Sequence, residues 1–128
     1  MIFDGKDLLG PIQKKEPTGR DMRLQKPVNP LYTQIKDARF AARTVERQQL
    51  QGGEGPDAQA QWRTVLTLGK EILTKHSKDL EVAVWMTEAL LRERGFSGLK
   101  DGFWLLRSLI ERYWETLYPT LDEEGISA

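Results

Sequence analysis

Residues 77–124 read S-K-D-L-E-V-A-V-W-M-T-E-A-L-L-R-E-R-G-F-S-G-L-K-D-G-F-W-L-L-R-S-L-I-E-R-Y-W-E-T-L-Y-P-T-L-D-E-E. Their periodicity predicts two helices. Over about Asp79–Arg94, Leu80, Ala83, Val84, Thr87, Leu90 and Leu91 make one apolar face, and Val82, Trp85, Met86 and Ala89 make a second. A helix apolar on two sides is normally covered on two sides, which places this one centrally. Gly95 is a natural stop, after which Phe96 can fold back on the last turn. Gly95-Phe96-Ser97-Gly98 then reads as a tight turn, its glycines tolerating positive φ. The following helix runs from Gly98 or Leu99 to Leu117. Leu99, Phe103, Leu106, Ile110, Tyr113 and Leu117 alternate steps of four and three without a break, with Arg107, Glu111 and Glu115 opposite. Pro119 prevents the helix from continuing beyond Tyr118.

Working outward, Trp62, Val65, Leu66, Gly69, Ile72, Leu73 and His76 follow a 3–4 spacing, which predicts a helix from near Asp57 to near His76. Pro30, preceded by the capping residue Asn29, opens a further helix to about Gln51. Its apolar stripe of Leu31, Ile35, Ala38, Ala42 and Val45 is thin, and Arg39, Arg43 and Arg47 form an i, i+4 ladder on another face. Gly52-Gly53-Glu54-Gly55-Pro56 separates these two helices. Residues 1–29 carry Gly5, Gly10, Pro11, Pro17, Gly19 and Pro27, too much punctuation for a regular element. Ile2, Phe3, Leu8, Leu9 and Ile12 imply that part of this arm packs on the body. No strand pattern, repeat or low-complexity tract is present.

A chain of 128 residues fits one domain with a real core. Lys plus Arg and Asp plus Glu are 19 each, so net charge is zero, which argues against a dominant nucleic-acid or anionic-membrane role. Residues 1–50 hold ten basic and six acidic side chains, the remainder nine and thirteen. The absence of cysteine excludes disulfides and Cys-ligated metals. No run approaches the length of a transmembrane helix.

The candidate sites are weak as chemistry. His76 is the only histidine and has no ligand or catalytic partner at a recognisable spacing; it reads as an imidazole at a helix C-terminus. Asp122-Glu123-Glu124 lacks the spaced oxygens of a hard-cation loop. Gly52–Pro56 lacks the Gly-Lys-Ser/Thr ending of a phosphate loop and follows no strand. No nucleophile–base–acid set assembles, so no enzyme, cofactor or metal is expected. Of the four tryptophans, Trp62, Trp85, Trp104 and Trp114, most are expected in the core, with Trp85 or Trp104 the candidates for an exposed interface anchor.

The residues of the opening stretch also resemble a known family. Ser77-Lys78-Asp79-Leu80, Val82-Ala83-Val84-Trp85, Thr87–Leu91, Gly95-Phe96, Gly98-Leu99, Gly102, Leu105-Leu106, Tyr113-Trp114, Leu117-Tyr118-Pro119 and Asp122 resemble the ImpA-type N-terminal domain of TssA and TssA-like proteins of bacterial type VI secretion. Pro17-Thr18-Gly19-Arg20-Asp21-Met22-Arg23 resembles that family's Pro-x-Gly-x-Asp-x-Arg opening, and Trp62 fits too. The resemblance covers the chain from Pro11 onward. It implies a non-enzymatic component working with the contractile tail: cytoplasmic, recruited to the inner-membrane-anchored apparatus, and meeting sheath, baseplate or membrane-complex proteins. Family members continue past the acidic run, so the chain is expected to be an excised domain. Ring formation in the family lies in the C-terminal region, which implies a monomer or weak dimer for this part alone.

The expectation is therefore an all-α, compact bundle of about four main helices. Residues 1–29 form an irregular arm, 30–121 the helical domain, and 122–128 an acidic tail beginning a linker. The expected function is a protein–protein interaction module, with Arg39, Arg43, Arg47, Phe96 and Trp104 as candidate contact residues. The alternative is a small helical ligand-binding or enzymatic bundle. A polar-lined pocket would favour the alternative, and an exposed apolar patch a partner surface.

Overall fold

A computed structural model describes residues 5–53 and 58–120, with side chains from Asp7 onward. Five helices follow one another: α1 (Gly5–Leu9), α2 (Pro30–Leu50), α3 (Gln59–Lys75), α4 (Leu80–Arg94) and α5 (Phe96–Tyr113). Among the described residues the only extended pairing is two isolated bridges, Gly19 with Ser77 and Asp79 with Tyr118. The expected all-α bundle with four main helices is the observed one.

Local chemistry accounts for several helix ends. Pro30 opens α2, and the Asn29 side chain accepts a hydrogen bond from the Leu31 amide at 2.9 Å. At α4 the Asp79 carboxylate accepts from the Val82 amide at 3.2 Å. Asp57, the expected cap of α3, lies outside the described residues, as do Ile2, Phe3 and residues 122–128.

Successive helices are neighbours: α2 on α3, α3 on α4, α4 on α5, with α1 against α3 and α5. Helix α4 is central, burying Val82, Ala83, Trp85, Met86, Thr87, Ala89 and Leu90. Met86 fills the space left by Gly69 on α3, where an added Cβ would overlap its side chain. The Trp62 ring is buried, donates from Nε1 to Glu46 on α2 at 2.9 Å, and lies under the Arg92 guanidinium of α4.

Four expectations need correction. The arm is not wholly irregular, because Gly5–Leu9 forms one short helix whose Leu8 is buried. The α4–α5 connection is a single residue: only Gly95, at φ +61, breaks the helices, and Phe96, Ser97 and Gly98 already belong to α5. Helix α5 also ends at Tyr113, short of Leu117.

The largest departure is the face that α5 buries. The unbroken 4–3 stripe is expected inward, but the buried set is Gly98, Gly102, Leu105, Leu109 and Tyr113. Phe103 and Ile110 are exposed, whereas Leu99 and Leu106 are half-buried. A Cβ on Gly98 would overlap the Leu90 carbonyl, and one on Gly102 would overlap the Thr87 side chain. The two glycines let the helix backbones approach closely, so α5 packs on α4 through its smallest residues.

Candidate interaction surface

The polar residues of the two resembling motifs come together, and they form a fastening. Segment 76–80, between α3 and α4, is held on one side by the arm and on the other by the chain beyond α5. The Lys78 amide donates to the Thr18 carbonyl at 2.8 Å, and the Arg20 amide to the His76 carbonyl at 3.4 Å. The Leu80 amide donates to the Tyr118 carbonyl at 2.7 Å, and the Tyr118 hydroxyl to the Gly19 carbonyl at 3.0 Å. Gly19, at φ +69, sits so close that a Cβ would overlap the His76 carbonyl oxygen.

Ser77, Lys78 and Asp79 are fully buried at this point. Arg23 Nη2 donates to Asp79 Oδ1 at 2.8 Å, and Nη1 lies 2.7 Å from Oδ2. The same guanidinium meets Asp21 at 2.8 Å and Glu81 at 3.0 Å, and the Tyr32 hydroxyl donates to Glu81 at 3.0 Å. Burial works against the Arg23 charge, but Asp79, Asp21 and Glu81 outweigh it and raise its pKa. Burial raises the Asp79 pKa, with Arg23 opposing. The Lys78 ammonium donates to the Leu8 carbonyl at 2.7 Å and to the Leu73 carbonyl. Burial, aided by Arg112, lowers its pKa to about 8. These charges neutralise one another or meet carbonyls of their own chain. The group is built to hold the arm, not to meet a substrate.

A small hollow of about 160 Å³ takes in His76 with Glu16, Arg20 and Lys75. A wide groove of about 1020 Å³ runs along the arm between Lys15, Arg20, Lys26 and Glu115. Its charged walls are tied locally, Arg20 to Glu16 at 3.5 Å and Asp21 to Arg23. A second hollow of about 350 Å³ lies over Trp62, Glu46 and Arg92, which already bond one another. Among the described residues no cluster of His, Cys, Asp or Glu could hold a metal, and no helix is long and apolar enough to cross a membrane. His76 is half-buried at the α3 C-cap, where its amide donates to the Ile72 carbonyl.

Several large apolar side chains are left exposed, among them Leu50, Leu24 and Phe40 on or before α2 and a larger set on and around α4 and α5. Phe96 is 86% exposed, Trp114 72%, Phe103 58%, Val84 42%, Leu91 37% and Ile110 36%. The contact of Gly102 with Thr87 sets how α5 lies on α4. With Thr87 facing α5, Val84 and Leu91 occupy the adjoining flank of α4, on the side where α5 turns Leu99, Phe103, Leu106 and Ile110. The result is one apolar face across the α4–α5 hairpin.

Of the expected contact residues, Phe96 begins α5 and stands out instead of folding back. Trp104 is half-buried against the core, off this face. The arginine ladder is partly occupied within the chain. Arg39 forks onto Glu88 of α4 at 2.8 and 3.1 Å, Arg43 lies 3.8 Å from Glu88, and Arg47 reaches Thr44 at 3.4 Å. The ladder thus lies on α2, across Glu88 from the face that carries Phe96, and Trp104 lies off that face. Trp85 is buried and tilted against Tyr32. Sequence reasoning missed Trp114, Val84 and Leu91 as surface residues. The Gly98–Gly102 pair was the available signal, because two glycines one turn apart mark the side where a helix meets a backbone.

The model of the family described as ImpA, N-terminal, type VI secretion system matches residues 9–128. Over 69 residues, the chain is 36% identical to the type VI secretion system component TssA1 of Pseudomonas aeruginosa, a match covering 54% of this chain and 20% of that protein. The fold is similar to the N-terminal domain, including the conserved ImpA_N region, of the TssA component of the type VI secretion system from Burkholderia cenocepacia. The TM-score is 0.74 at 31% identity, covering 97% of this chain and 42% of that one. The chain spans less than half the length of either relative. It belongs to the ImpA N-terminal family of the type VI secretion system.

Proposed function

We propose that this domain is a non-enzymatic protein–protein interaction module of the secretion apparatus, docking a sheath, baseplate or membrane-complex protein through the apolar face of the α4–α5 hairpin. The observation that carries this reading is the exposure of Phe96, Phe103, Ile110, Val84 and Leu91 on one surface. Contiguous apolar patches of that kind mark interaction sites. The buried Lys78 and Asp79, by contrast, fasten the arm. Family membership supports the setting, a cytoplasmic protein brought to the inner-membrane-anchored machine and assembled into rings through a C-terminal region.

Capture experiments test it. The chain, immobilised, is offered purified sheath, baseplate and membrane-complex proteins. At least one is retained, and Phe96→Ser with Phe103→Ser abolishes retention while the thermal midpoint stays put. Reversing Arg39, Arg43 and Arg47 to Glu reports separately on the ladder. Retention of no component, or stoichiometric binding of a nucleotide or metal, overturns the reading.

A further inference from the structure

The exposed face of α5 has a register of its own. Phe96, Phe103 and Ile110 recur at steps of seven, interleaved with the half-buried Leu99 and Leu106 at the same step. A repeat of seven with alternating gaps of three and four is the seam by which one helix pairs with another in a left-handed supercoil. Helix α4 does not use this seam, because its contact with α5 runs through Gly98 and Gly102. Beside it, Val84 and Leu91 are also seven apart. Two apolar ridges thus border the shallow groove between α4 and α5, which is the shape that receives a third helix.

Charge narrows the occupant. Lys100 and Arg107 lie seven apart on the outer edge of the seam, both exposed. At the α4 edge, Arg39 and Arg43 converge on Glu88, one turn from Val84 and from Leu91. The outer rim therefore leans basic, although Glu111 at 2.9 Å partly offsets Arg107, whereas at the α4 edge Glu81 and Glu88 balance the two arginines. A second copy fits poorly. Antiparallel self-pairing, with Phe103 against Leu106 of the other copy, sets Lys100 beside Arg107 of that copy. Like charges flanking a seam disfavour the pairing.

We propose that the α4–α5 groove receives an amphipathic helix of another protein, one with an apolar 3–4 seam flanked by Asp or Glu on the side that meets Lys100 and Arg107. This rests on the reading of the hairpin as an interaction surface and adds the chemistry of its partner. Phe96, Phe103 and Ile110 are the knobs, Val84 and Leu91 form the far wall, and the basic outer rim sets orientation and selectivity.

Two synthetic helical peptides with one Leu/Ile seam serve as probes, one flanked by Glu and the other by Lys. Their binding to the chain is read by fluorescence anisotropy. The Glu-flanked peptide binds about tenfold tighter or better, and the gap narrows at high salt. Phe103→Ser weakens it about tenfold at an unchanged thermal midpoint, and Lys100→Glu with Arg107→Glu reverses the preference. Equal binding of both peptides, no binding, or indifference to Phe103→Ser overturns the proposal. So does sedimentation that finds a dimer of the chain abolished by Phe103→Ser, which makes a second copy the occupant. If Phe96→Ser with Phe103→Ser abolishes capture of an apparatus protein while neither peptide binds, the groove proposal fails and the interaction surface stands. If the peptides discriminate as expected but no apparatus protein is captured, the groove stands and the functional reading fails.

Discussion

Arg23, in the arm, closes a two-point contact with the fully buried Asp79 at the start of α4, at 2.8 and 2.7 Å. Fifty-six positions separate the two residues in sequence. The arm is therefore fixed by an ion pair as well as by apolar packing. Removing one partner of such a pair strands a buried charge.

Arg23→Ala is expected to lower stability by about 3–5 kcal/mol, seen as a shift in the denaturant midpoint. Asp79→Ala also removes the α4 cap and falls in the same range. The double variant loses less than the sum, because the two residues share one interaction. Strict additivity would show that the contact contributes nothing.

Gly19→Ala is expected to destabilise far more than Gly52→Ala. Both glycines have positive φ, at +69 and +82, but only at Gly19 does the added methyl meet backbone. Gly52→Ala carries the left-handed penalty alone, about 1–2 kcal/mol. Thermal midpoints that fall equally would mean the arm moves aside freely.

Trp85→Ala should cost about 3–5 kcal/mol, whereas Phe103→Ala and Arg43→Ala stay within about 0.5 kcal/mol. Trp85 is enclosed by α4's neighbours, and Phe103 is already in water. Urea unfolding of the three variants measures the order. A large loss at Phe103 would mean the seam is part of the core after all.

Lys78 gives the fold an alkaline signature. Its ammonium has an ordinary value of 10.5 and is lowered to about 8, first by burial and then by Arg112. Between these values the unfolded chain keeps a proton that the folded chain has released, so stability rises with pH across that window. Below about pH 8 both states are protonated and the cost is constant. Burial raises the tyrosine hydroxyls of Tyr32 and Tyr113, so above about pH 10 the unfolded chain ionises first and stability turns down. Chemical denaturation from pH 7 to 11 should therefore show a maximum near pH 10, with a rise of about 1–3 kcal/mol that is absent in Lys78→Met. A flat profile in the parent chain would contradict the assignment.

Periodicity made the helices legible, since α2, α3 and α4 follow from Pro30, the Trp62–Leu73 stripe and the doubly apolar run after Asp79. It did not reveal which side of α5 faces inward. Apolar mass pointed to Phe103 and Ile110, but proximity of backbones is what decided the packing, and Gly98 and Gly102 supply it. Phe96 was legible as an exposed candidate for the same reason that it was hard to place: a residue after a glycine stop can either fold back or begin a helix. The arm's fastening was visible only as two motifs, because no spacing rule brings Arg23 to Asp79. That takes the tertiary fold.

The fastening of segment 76–80 between Thr18–Arg20 and Tyr118 also has a bearing on synthesis. The α2–α3 and α4–α5 pairings join neighbours in sequence and can close as each helix leaves the ribosome. The arm's anchor cannot be completed until Tyr118 has emerged, roughly a hundred residues after Gly19 was made. The nascent chain therefore carries an arm held to segment 76–80 from one side alone until Tyr118 has emerged.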